Sequence, residues 1–251
     1  MKFIKKHIGP ILIGVFLVLG YILLTDGLQI LKPFLFPSLS KVLPLYPEYI
    51  GELLGGLGSS LFLLVISYLL AVVTAVAAGT LIGLKSGIRK CVTPYIYAFS
   101  AVPVPLLTPY AINIFPTMKA ASIFLIWLAA FWVILATTIG AVVSIDKRYL
   151  ENAATLEMPS AEKLFKVVLP AASPAILTGC SVALTLSFMM LAVAEMFGAD
   201  SGLAHFVSYY SDFARFDLVL AGFMFTAAVL VLIMIIFDKV KARILYWTVD
   251  D

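Results

Sequence analysis

Few residues of this 251-residue chain are of a type that could do chemistry, and they form no catalytic set. Cys91 and Cys180 lie about 90 residues apart, which matches no metal-ligand spacing and no redox pair. They read as small apolar packing residues. No Gly-x4-Gly-Lys-Ser/Thr phosphate loop occurs, so the chain is not expected to hydrolyse ATP itself. No catalytic residue and no metal ligand is predicted. What stands out is polar or kinking chemistry inside apolar runs. Pro103, Pro105 and Pro109 each remove a backbone donor, which frees carbonyls one turn back. In a membrane that is tolerable where protein or a water-filled cavity satisfies them. The prolines therefore mark either a bent helix lining a path or a bent packing helix. Glu195, after Ser187 and Met190 in the same run, is a carboxylate at a depth where such groups are usually paired or functional. It either faces a path or makes a helix-end hydrogen bond that shapes the Gly198–Gly202 turn; its place near the outer interface favours the second. Met189 and Met190 could line a path or fill core gaps. His205, Tyr209 and Tyr210 read as packing or partner-contact residues.

The elements that hold these residues are set by the solvent. Hydrophobic residues make up 63% of the chain and charged residues only 12%, about half the charge of a soluble domain. Mean hydropathy is +1.09. No charge falls in 53–84, 91–118, 120–145, 167–194 or 218–237, and each gap holds the roughly 20 residues that cross a hydrocarbon core. The runs are continuous and do not alternate, which predicts helices and not barrel strands. The fold class expected is an all-α membrane protein with six spans, at about 10–28, 57–84, 92–113, 119–144, 171–194 and 218–237. The first follows Lys2, Lys5 and Lys6 and imitates a secretory signal. It lacks the small residues of a cleavage site, and is read as a retained span.

Orientation follows from Lys and Arg, which are in excess in cytoplasmic loops. With the N-terminus inside, Lys2, Lys5, Lys6, Lys85, Arg89, Lys90, Lys147, Arg148, Lys163, Lys166, Lys239, Lys241 and Arg243 are cytoplasmic. Only Lys32, Lys41, Lys119 and Arg215 are outside. Both termini are therefore expected in the cytoplasm. The basic residues flank spans, so the net charge of +3 does not imply nucleic acid. Residues 1–251 read as one transmembrane domain without internal repeats. The outer segment 29–56, rich in proline and glycine, reads as an irregular linker with one short interfacial helix.

The loop 145–170 is the most organised polar segment. Residues 147–157 are helix-prone, with Leu150, Ala153, Ala154 and Glu157 on one stripe whose alanines allow close approach. Pro159 breaks that helix and is suited to start the next at its first position. Leu164, Phe165, Val167 and Val168 are expected to be buried there, and Glu162, Lys163 and Lys166 to stay wet. The pattern alone fits either a docking surface or an amphipathic loop on the membrane.

From Glu151 to Pro170 the spacing resembles the EAA loop of binding-protein-dependent ABC importer permeases. Glu151, Asn152 and Ala153 fall at the first triplet, Val167 at the aliphatic position, and Leu169-Pro170 at the end. Asn152 replaces an alanine, and Glu157 stands where the family has glycine. A side chain at such a left-handed turn costs about 1 kcal/mol, so either Glu157 stays helical and Pro159 makes the break, or the turn is strained. Three more segments resemble the nitrate/sulfonate/taurine branch: Phe36-Pro37-Ser38-Leu39-Ser40-Lys41-Val42-Leu43, Ala101 to Pro109, and Val193-Ala194-Glu195-Met196-Phe197-Gly198-Ala199-Asp200-Ser201-Gly202-Leu203.

The resemblance implies a type I importer permease of the bacterial inner membrane. Its expected partners are two ATP-binding cassette subunits carrying ATP and Mg, a second permease subunit (identical or related), an extracytoplasmic binding protein on 29–56 and 195–217, and lipid. Coupling residues by resemblance are Glu151, Asn152, Ala153, Ala154, Glu157, Leu169 and Pro170. Path candidates are Pro103, Pro105, Pro109, Ser187, Met190 and Glu195. The competing class is an ion-coupled carrier or channel. Such carriers usually keep a charged site near the membrane centre, and no charged residue lies well inside any span here.

Overall fold

The computed structural model describes residues 12–16, 18–28 and 30–247. Expectations about Lys2, Lys5, Lys6 and the start of the first span lie outside the described residues. Among the described residues the regular structure is helical, as the charge-free runs demand. Helix α1, Leu12–Gly27, ends in a π-turn, and α2 runs from Tyr46 to Leu84. Helix α3 is Ser86–Ser100, α4 is Thr108–Ile114, α5 is Met118–Val143 and α6 is Lys147–Thr155. Then follow α7, Leu169–Gly198, α8, Leu203–Asp212, and α9, Phe216–Ile244.

Among the described residues, four helical stretches are long and apolar enough to cross a membrane: Leu39–Leu84, Met118–Val143, Ser160–Gly198 and Phe216–Ile244. A fifth is added if the bent pair α3 and Val104–Ile114 counts as one span. The described part of the first expected span, Leu12–Gly27, is shorter. The expected third span, 92–113, is thus not one helix. It breaks at Ala101–Pro103, and the two halves diverge by 79°. Pro103 and Pro105 cannot donate, and the chain instead re-forms as a 3-10 turn, Val104–Leu107, before α4.

The expected irregular linker 29–56 is corrected too: helical structure starts at Leu39 and is continuous from Tyr46 into the membrane run. Pro44 and Pro47 lie in first turns, where a missing N–H leaves no bond unmade. Of the glycines early in α2, Gly56 is the closely packed one, with Gly202 and Leu203 lying over it.

The core is a sandwich of α2, α5 and α7. Ser67, Ala71, Ala75, Gly79 and Gly83 recur every four residues and form one buried stripe on α2. A Cβ on Gly79 would lie 2.7 Å from the Thr138 Cβ, and one on Gly83 2.8 Å from the Val142 Cβ. Small residues let the backbones approach, which is the main source of helix attraction where lipid removes the hydrophobic drive. On the other side of α5, Gly179 of α7 leaves room for Thr137, whose hydroxyl its Cβ would overlap. Ala130, Ile134, Ala172, Ile176 and Ala183 fill one end of this seam; Leu63, Leu125, Ile126 and Leu191 fill the other. Helix α9 is peripheral, held by Leu218, Ala221 and Gly222 against α8, where Phe206 lies over Gly222.

Candidate functional site

Helix α7 is 30 residues long, about 45 Å, and short helices sit beyond its two ends. At the first end is α6. Asp146 caps it, accepting from the Arg148 N–H at 2.9 Å, and the same carboxylate pairs with the Arg148 guanidinium at 2.6 Å. Those bonds hold the exposed Asp146 carboxyl below its ordinary range. The helix stops at Thr155, two residues before the expected 157, so Glu157 is not on its stripe. Met158 N–H donates to Ala153 O at 3.2 Å and Glu157 N–H to Ala154 O at 3.0 Å. This pair of bonds is a Schellman closure, and it requires a left-handed residue at 157. Glu157 has φ 48°, so of the two alternatives the strained turn is the one adopted. Its Cβ costs about 1 kcal/mol there.

Pro159 is the N-cap and not the first helical residue; the next turn begins at Ser160. Leu164–Val168 then forms a π-turn that runs into Leu169-Pro170. Pro170 has no N–H, and the widened turn lets the chain pass it without a kinked break. That extra residue rotates the apolar face. Val168 is buried and Leu164 and Val167 are half-buried, but Phe165 is 67% exposed, against expectation. Lys166 pairs with Glu162 at 2.6 Å in solvent.

Between α6 and the start of α7 lies a groove of about 580 Å³ whose lining includes Tyr149, Asn152, Leu156, Lys166, Pro170 and Trp247. Of the sequence-predicted coupling residues it gathers Asn152, Ala153 and Pro170. Ala153 is 2% exposed and seats the helix. Glu151, Ala154 and Glu157 are exposed and do not line it, and Leu169 is half-buried. Tyr149 and Leu156 are exposed although apolar, Leu156 to 72%.

The path candidates separate. Pro103, Pro105 and Met190 line one cavity of about 650 Å³ with Trp132, Thr137 and Met189. Pro109 is at the start of α4, away from it. Ser187 is fully buried, and its hydroxyl donates to Ala183 O at 2.9 Å within its own helix.

Glu195 is 1% exposed and is not on that cavity. Its carboxylate accepts from the Ser60 hydroxyl of α2 and from the Ala204 N–H at 2.8 Å. Ser60 Oγ in turn accepts from the Leu203 N–H at 3.0 Å. The first amides of α8 are thus satisfied by two other helices. Gly202 is the N-cap of α8 with φ 149°, and a Cβ there would overlap the Glu195 carboxyl. A Cβ on Gly56 would lie 3.1 Å from the Gly202 backbone. Sequence reasoning missed Ser60 and Gly56. The four-residue spacing of Gly56 and Ser60 was the available signal, since such pairs mark close approach.

Among the described residues no group of three His, Cys, Asp or Glu side chains could hold a metal ion. The family described as "Binding-protein-dependent transport system inner membrane component" matches residues 71–245, and the chain belongs to it. It is therefore a multi-pass inner-membrane permease component of a binding-protein-dependent ABC importer, a transport subunit whose ATP is bound by a partner ATPase. The chain is similar to the putative aliphatic sulfonates transport permease protein SsuC of Bacillus subtilis, with 28% identity over 221 residues, 87% of this chain and 78% of that one. To the taurine transport system permease protein TauC of Escherichia coli it is 27% identical over 227 residues, 88% of this chain and 82% of that one. Among solved structures, the inward-facing MetNI methionine ABC transporter superposes with a TM-score of 0.69 at 18% identity. That match covers 78% of this chain and 98% of the other, and is a likeness of fold.

Proposed function

We propose that the chain pairs with a second permease subunit, identical or related, to form the path of an importer for a small solute. An extracytoplasmic binding protein delivers the solute, and two ATP-binding cassette subunits drive the cycle through residues 146–170. In this reading the subunit has six spans of the type I importer fold with both termini in the cytoplasm. The placement of thirteen of the seventeen basic residues on the loop side supports that orientation.

The observation that carries the coupling role is the apolar crest of α6. Tyr149 and Leu156 stand uncovered beside Asn152, on a helix seated by Ala153 and closed at both ends. A rigid short helix offering apolar anchors fits a groove on another protein. Glu151, Asn152, Ala153, Ala154 and Glu157 form or flank the contact; Leu169 and Pro170 connect it to α7. The cavity with Pro103, Pro105 and Met190 supports their place on the path. Pro109, Ser187 and Glu195 have no such support. The relatives' names concern aliphatic sulfonates and taurine. Residues 120–145 and 167–194 hold no Lys or Arg to select such anions, so selection is assigned to the binding protein.

The test is co-purification with the cognate ATP-binding subunits. Leu156→Asp is expected to weaken their retention by about tenfold, the effect of losing some 1.4 kcal/mol of contact. Glu151→Lys is expected to stop import. Retention and import equal to wild type in both variants would remove the coupling role from this loop.

A further inference from the structure

Every helix starts with amides that its own turns cannot satisfy. Most helices meet this need locally, with Ser, Thr, Asp or Asn at the N-cap. Helix α8 cannot. Its N-cap is Gly202, which has no side chain, and a side chain there would overlap the Glu195 carboxyl. The amides of Leu203 and Ala204 go instead to Ser60 on α2 and Glu195 on α7. Ser60 and Glu195 are also bonded to each other. A local cap would satisfy the same amides and leave α8 free to shift. The cap used here joins three helices at one buried point.

We propose that the Glu195–Ser60 pair is a mechanical tie, a positioning device that makes α8 move with α7 and α2. The consequence comes from what lies at the far end of α7. Through the π-turn at Leu164–Val168 that helix is continuous with the loop carrying α6. A push on α8 at one end thus reaches α6 at the other along a single 30-residue helix. The flanks of α8 are suited to being pushed: Tyr209 and Phe213 are exposed, while Leu203 and Phe206 are buried against α2 and α9. The helix dipole adds to the tie, because a carboxylate at an N-terminus is attracted by the aligned amides. Placing α8 on the outer face rests on the importer reading above.

The experiment uses the assembled permease–ATPase complex in lipid nanodiscs, with its binding protein. Wild type must show basal ATPase and a binding-protein-stimulated increase; if it shows neither, the importer reading fails and not the tie. Given that increase, Glu195→Ala should reduce the stimulated-to-basal ratio by about tenfold, as loss of hydrogen bonds to a charged group predicts. Glu195→Gln keeps one oxygen for the Ala204 amide, and its NH2 can reach Ser60, so it should recover most of the ratio. Ser60→Ala, which removes the Leu203 acceptor, should fall between them. Thermal melting of each complex separates the tie from simple damage. A ratio that stays at the wild-type value in Glu195→Ala overturns the proposal. So does a loss equal in Ala and Gln variants that only follows the folded fraction. If Glu195→Ala does not assemble, Gln against Ser60→Ala decides: equal wild-type ratios in both overturn it.

Discussion

Helices α6 and α8 are nearly the same length and flank the same long helix, yet their ends are closed in opposite ways. Helix α6 closes itself. Asp146 caps its start from the preceding position, and the backbone of Glu157 and Met158 closes its end. Everything it needs lies within a dozen residues, so it can keep its shape while its surroundings move. Helix α8 is closed by residues 143 and 9 positions away in the chain. Its first turn exists only while α2 and α7 stay in register. A self-closed helix suits a part that docks and undocks from another subunit; a helix closed by its neighbours suits a part that must follow them.

That contrast can be broken from either side. The largest effect should come from Gly202→Ala. The new Cβ meets a buried carboxyl that cannot retreat without giving up its bonds, at a backbone angle of φ 149° that disfavours side chains. A loss of about 3–5 kcal/mol is expected, seen as failure to assemble or a steep drop in melting temperature. Ser60→Ala leaves a buried carboxylate oxygen and the Leu203 amide each short of a partner. It should cost about 2 kcal/mol in thermal unfolding in detergent, while hydrogen exchange in 147–158 stays as in wild type.

Effects at α6 should be smaller and local. Glu157→Gly removes the strained Cβ and should stabilise the loop by up to about 1 kcal/mol, a roughly fivefold slowing of amide exchange in that loop. Slowing of exchange in 203–206 as well would mean that the closure of α6 is not local. The smallest effect belongs to Asp146. Its carboxyl is held below the ordinary range by Arg148, so its contribution is present at neutral pH and lost as pH falls through and below about 4. Asp146→Ala should therefore speed exchange in 147–150 at pH 7, with the difference from wild type vanishing in acid.

The same contrast explains what could be read from the chain before its fold. Long charge-free runs announced α2, α5, α7 and α9, because in lipid a continuous apolar run has few options but a helix. The break at Pro103 and Pro105 was legible as a bend, but not its 79°, which the two halves' packing sets. Pro44, Pro47 and the glycines at 51, 55 and 56 misled, since the same residues that mark loops also start helices and allow close contact. Phe165 misled because a π-turn changes the face without any sequence signature at that point.

In the loop 145–170, the order of residues alone determined the outline: a helix-forming run from Lys147, a break near Pro159, and the Leu169-Pro170 entry to α7. Each of these is a local interaction, and local interactions follow from neighbours in the chain. Only the tertiary structure decided what Glu195 bonds to. A carboxylate after a long apolar run could have faced a path as readily as a helix end. Its partners were fixed when Ser60, far away in sequence, and a glycine without a side chain arrived on either side of it. In lipid an unpaired carboxylate and unpaired amides are each costly, and bringing them together removes both costs at once.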